Sequence, residues 1–236
     1  MIYVLSFICT LETIKYTFKQ LTVYLLLSVG CFLMLKSVIR YYPLRDNVGF
    51  LQFKRAYIHI LPWKIAFYTH VFTAIFALFA GFTQFSAQVR HKYARVHRLI
   101  GRLYTYDILI INFPAAMLMA VYANGLLPGK TAFVVLDCLW FWFTLQAVIE
   151  VKKGNIKVHK QFMMRSYALT LSAITLRSWK IIISAFVHID PLHLYMIDAW
   201  MGFVPNLLFV EWLIRAKRTS PQLQISTLKP DGAQAV

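Results

Sequence analysis

Six apolar runs leave this chain one kind of fold. They fall at residues 21–39, 63–85, 103–124, 131–151, 163–188 and 194–214, and each is long enough to cross a hydrocarbon layer about 30 Å thick. Inside lipid the backbone must satisfy its own hydrogen bonds, so such runs fold as helices. The expected class is all-α, a polytopic helical membrane bundle of about six transmembrane helices. Composition agrees. Of 236 residues, 59% are apolar and 14% charged, against roughly 45–50% and about 25% in soluble domains. Met1–Leu11 is apolar but too short to span. Lys15 and Lys19 precede the first run, and no small-residue cleavage site follows it, so that run reads as a retained anchor. Residues 1–20 read as a cytoplasmic or interfacial segment, 21–216 as the bundle and 217–236 as a polar, disordered cytoplasmic tail.

The net charge of +16, from 25 Lys and Arg against 9 Asp and Glu, would suit a nucleic-acid binder. The basic residues nevertheless cluster beside the apolar runs, so the partner they point to is a lipid bilayer. Arg90, Lys92, Arg95, Arg98 and Arg102 lie between the second and third runs. Lys152, Lys153, Lys157, Lys160 and Arg165 lie between the fourth and fifth. The third-to-fourth turn holds Lys130 alone and the fifth-to-sixth holds none. The charge rule puts the two basic connections and both termini on the cytoplasmic side of the cell membrane. Arg40, Arg45, Lys54 and Arg55, between the first and second runs, run against it.

The fifth run carries Arg177 and Lys180 in its middle. Helical spacing aligns His159, Met163, Ser166, Thr170, Ala173, Arg177, Lys180, Ser184 and His188 on one side. Charge at membrane depth faces protein or a wet cavity, so helix five is expected to be central, with Asp137 and Asp198 as counter-charges. On the inner half, Arg102 and Arg165 have Asp107, Glu150 and Glu211 as candidate partners. Pro114 and Pro205 are expected to bend the third and sixth helices. Cys9, Cys31 and Cys138 give neither a disulfide framework nor a CxxC motif.

Three blocks carry chemistry-bearing residues. Arg90, His97-Arg98 and Gly101-Arg102-x-Tyr104 lead into helix three. His159-x-x-x-Met163-x-Arg165-Ser166-Tyr167 leads into helix five. His70, Ala77, Gly81 and Gln84 mark helix two. In this order, over roughly Trp63 to Arg218 and with Asn206 and Glu211-Trp212 in the last helix, they resemble the bacterial predicted-membrane-protein family filed as domain of unknown function 2306. That resemblance implies a six- or seven-helix membrane protein of unassigned activity.

On chemical grounds two readings stand. In the first, His97 and His159 at cytoplasmic helix starts ligate the iron of a b-type haem axially, with His70 a further outer ligand. Arg98, Arg102 and Arg165 hold the propionates, and the protein transfers electrons to a redox partner or quinone. This is similar to transmembrane b-type cytochromes, although helix four lacks any histidine and their two-haem ligand set does not carry over. In the second, Arg177 and Lys180 bind substrate in the polar cavity of a small transporter or lipid- or solute-binding protein. Beside both stand a non-catalytic scaffold and purely interfacial or ion-pairing roles for these side chains. Phosphate loops, nucleophile elbows and HExxH motifs are missing, so hydrolysis has no support.

Overall fold

A computed structural model describes residues 2–219, with side chains over 21–217. Every element among them is helical, apart from turns and connections. The proposed tail lies almost wholly outside the described residues. The chain divides into two compact units, Met1–Ala123 and Asn124–Val236.

The first unit contains α1 (Ile2–Ile39), a 3₁₀ turn (Gly49–Lys54), α2 (Leu61–Gln84), α3 (Ala87–Lys92), α4 (Ala94–Tyr106), a π-helical turn (Asp107–Asn112) and α5 (Phe113–Val121). Leu21–Ile39, Leu61–Gln84 and Ala94–Val121 are the spanning stretches. The 38-residue α1 is ~57 Å long at 1.5 Å per residue, so it outreaches the hydrocarbon layer. α2 organises the unit and packs against α1, α4, the π turn and α5. Buried Ala66, Ala77, Ala80 and Gly81 let those neighbours come close. At its far end Gln84 Nε2 donates to the His97 carbonyl at 3.1 Å. A Cβ on Gly101 would stand 3.0 Å from Gln84 Oε1, so α4 passes close to α2 there.

The basic connection between α1 and α2 is a folded cap. Tyr41, Leu51, Trp63, Phe67 and Tyr68 form its core. Lys54, 2% exposed, donates to the Tyr122 carbonyl at 2.5 Å and lies over the Phe50 and Tyr57 rings. One of the charges that ran against the orientation rule is therefore a buried structural cation. Its bond also puts this cap and the end of α5 on the same side, as alternating spans require.

The second unit contains α6 (Leu126–Lys152), α7 (Ile156–Thr170), α8 (Ser172–Phe186), α9 (Pro191–Met201) and α10 (Val204–Thr219). α6 packs along α7 and α9, α7 on α10, and α8 on α9. Gly154, at φ +81°, closes the α6–α7 turn in the left-handed region, where a Cβ would be strained. α9 and α10 form one span, Pro191–Lys217, with a turn at Gly202 and Phe203 just before Pro205. The fifth span departs from the expected straight helix. α7 and α8 meet at Leu171 with a bend of 42°.

Candidate functional site

Asp137, Trp140, Thr144 and Ala147 recur at helical spacing along α6, and all four are buried. They face Ser166 and Thr170 of α7 in an antiparallel ladder. His159 Nδ1 donates to the Ala147 carbonyl at 2.8 Å. Thr144 Oγ1 meets Ser166 Oγ at 2.7 Å, and Trp140 Nε1 donates to Thr170 Oγ1 at 3.1 Å. The next rung is Asp137, which is only 4% exposed, and neither of its carboxylate oxygens has a hydrogen-bond partner. The register would set Asp137 opposite Ala173 of a straight helix, with Arg177 one turn further on. The bend at Leu171 ends the ladder first.

The bend is stitched by the last span. Asn206 Nδ2 donates to the Ala168 carbonyl and to Thr175 Oγ1, both at 3.0 Å, so it ties the residues flanking Leu171. Thr175 in turn donates to the Gly202 carbonyl. A Cβ on Gly202 would lie 3.0 Å from Leu176 Cβ, so α8 crosses α9 at close range there. Asp198 is buried on α9 with Oδ1 lacking a hydrogen-bond partner, and the charge of Lys180 reaches it.

The other residues singled out from sequence are distributed as follows. Arg177 and Lys180 are exposed on α8, and Arg177 Nη1 donates to the Ala173 carbonyl at 2.7 Å. The polar stripe of the fifth span is therefore buried over α7 and exposed over α8. Arg165 is clamped by Glu211 of α10 through both Nε and Nη2, the latter 3.0 Å from Oε2, between the Phe143 and Phe162 rings. Of the expected ion pairs this one forms. Glu150 is instead taken by Lys153 and Asn155. His70 and His97 are half-buried on α2 and α4, with Arg98 and Arg102 exposed on α4. These four belong to the first unit, whereas His159 and Arg165 belong to the second. Among the described residues there is no grouping of three or more His, Cys, Asp or Glu that could hold a metal ion.

A second polar cluster, in the first unit, escaped the sequence reading. Asp107 and Asn112 lie on the π-helical turn, and Asn112 Nδ2 donates to Asp107 Oδ1 at 2.8 Å and to Thr73 Oγ1 of α2 at 2.9 Å. The sequence signal for it was Pro114. Lacking an N–H, Pro114 frees a carbonyl in the preceding turn, where Phe113 N–H reaches back five residues to Ile108.

Residues 67–214 match the family described as Predicted membrane protein (DUF2306). The chain belongs to that family. The matched stretch takes in the α6–α7 ladder, the bend at Leu171, its Asn206 stitch and the π-helical turn, and leaves out α1 and the cap before α2. DUF2306 membership makes this an integral membrane protein with several spans, without naming an activity. No curated protein and no solved structure matches the chain.

Proposed function

We propose that this DUF2306 protein is a small-solute-binding membrane protein of the transporter class, with its site in the second unit around Asp137. One observation carries the reading. Near the middle of a spanning helix, a carboxylate is buried with both oxygens lacking a donor. A carboxylate in such surroundings costs several kcal/mol unless it is paired, protonated or bound to a ligand. The ladder beside it supplies hydroxyls and an indole N–H instead of a counter-charge. A cationic or hydrogen-donating group of a solute meets that demand.

The bend supports the same reading. Transporters place their sites at interruptions in spanning helices, and Leu171 interrupts this one beside the last rung of the ladder. Straightening α7 into α8 would carry Arg177 toward Asp137 and expel a cation bound there. Arg177 and Lys180, exposed on α8 beyond the bend, are the substrate-binding residues in this reading, suited to an anionic part of the same solute. The test is a thermal-shift screen of the detergent-purified protein against small amines, amino acids, carboxylates and phosphates. The reading requires a saturable shift from an amine-bearing class that Asp137→Asn abolishes and Arg177→Leu weakens. A panel without any saturable shift, or a shift unchanged in Asp137→Asn, rejects it.

His159 supports a second reading, a b-type haem protein in electron transfer. A carbonyl only accepts, so the Ala147 contact fixes the ring proton on Nδ1 and leaves the Nε2 lone pair for a metal. Metal-ligating histidines are held in this way. His159 is the axial ligand that the second unit supplies. Arg165 is already committed to Glu211. This reading requires a Soret band that sharpens on dithionite reduction and disappears in His159→Ala. Protein grown with haem precursor that lacks the band rejects it.

A further inference from the structure

We propose that the first unit holds a small, hard monovalent cation at Asp107, Asn112 and Thr73. The residues are shared with neither reading above, so this inference stands or falls by itself. Asp107 sits at the centre of the Ala94–Val121 span, 6% exposed, and Asn112 is fully buried. Asp107 Oδ2 and Asn112 Oδ1 both lack a hydrogen-bond partner in good geometry, and the Thr73 hydroxyl lies beside the Asp107 carboxyl. The two side chains are already joined through Asn112 Nδ2, so the two open acceptors belong to neighbouring groups. Thr73 Oγ1 donates to the Thr69 carbonyl at 2.9 Å and accepts from Asn112, which leaves it one acceptor lone pair. Three oxygens with unmet acceptor capacity thus collect around one π-helical turn, a distortion that recurs at functional sites.

Charge decides the class of ligand. The cations of α2 and α4, Lys64, Arg95, Arg98 and Arg102, sit toward the ends of these helices and none pairs with Asp107. Residues 65–84 and 103–121 contain neither Lys nor Arg, and His70 is their one imidazole. No side chain in these stretches carries a permanent positive charge to offset Asp107. Oxygen donors without nitrogen or sulfur select hard cations. One positive charge on one carboxylate leaves the site neutral, as membrane depth demands, whereas a divalent ion would leave net charge.

The probes are Na⁺, Li⁺ and K⁺ as chlorides, titrated against choline chloride at constant ionic strength, with thermal unfolding of the detergent-purified protein as readout. The wild type should gain melting temperature along a saturating curve whose midpoint differs among the three ions. Asp107→Asn should abolish the effect, and Thr73→Val should move the midpoint to higher concentration by roughly tenfold or more. Equal response to all four cations in the wild type overturns the proposal without recourse to a variant. It is equally overturned by stabilisation that follows pH alone, the sign of a proton at Asp107, or by an ion-selective effect that survives both substitutions.

Discussion

The hydroxyls of Thr144 and Ser166 meet in a seam that both side chains enter fully buried. Interhelical hydrogen bonds between polar side chains in membranes average about 0.6 kcal/mol and reach ~1.7. Thr144→Val keeps the shape and removes the hydroxyl, so reversible unfolding in bicelles should show a loss of about 0.5–1.5 kcal/mol. The double variant with Ser166→Ala should lose less than the sum, because both remove one bond. Outside the membrane, Asp46 is held by Lys64 Nζ at 2.5 Å and by the Tyr68 hydroxyl at 3.0 Å. These contacts, Lys64 first, keep its carboxyl below the ordinary carboxylate range. The folded value lies below the unfolded one of about 3.9, so the stabilisation is present above that pH and fades as pH falls through the folded value. Wild-type stability should therefore drop more steeply than that of Asp46→Asn as pH falls from about 4 through the folded value, by a small amount because both partners are partly exposed. Sequence spacing alone put Ser166 and Thr170 on one helix face. It could not single out Thr144, because a lone threonine in an apolar helix gains its partner only from the antiparallel register.

At the scale of elements, the two proline-linked distortions were readable from residue type. Pro114 follows the π turn and Pro205 the α9–α10 turn, and in each case a missing N–H interrupts the helical ladder. The bend at Leu171 has no such mark, since residues 163–187 contain neither Pro nor Gly. Its cause lies on another helix, where Asn206 bonds to Ala168 and Thr175 across the break. Asn206→Leu should leave those acceptors unmet and cost about 1–3 kcal/mol in the same unfolding assay. It should also release the bend, so spin labels on α7 and α8 should report a distance distribution broader than in the wild type. An unchanged distribution would assign the bend to the α8–α9 crossing at Gly202 instead.

Across the whole molecule, charge and burial together account for the ends of the spans. The α2–α4 and α6–α7 connections keep their lysines and arginines largely exposed, whereas Lys54 of the cap is buried and bonded to Tyr122. Removing Lys54 from the count weakens the conflict with the orientation rule. Single cysteines placed at Lys152 and Asn47, both exposed, in a background without Cys9, Cys31 and Cys138 test the resulting topology. An impermeant thiol reagent added to intact cells should label Asn47→Cys and spare Lys152→Cys until the membrane is opened. The reverse pattern would invert the orientation.

Residue order alone was enough for the membrane class, the approximate placing of most spans, the family and the helix irregularities just ahead of Pro114 and Pro205. Each of these follows from local hydrophobicity or from a missing backbone donor, and neither depends on a distant partner. Packing supplied the rest: a broken fifth span, an arginine clamped by Glu211, a buried Lys54, and aspartates at 107 and 137 with oxygens left open. Those outcomes turn on which side chain stands across from which, and helical periodicity gives a face without naming what it meets.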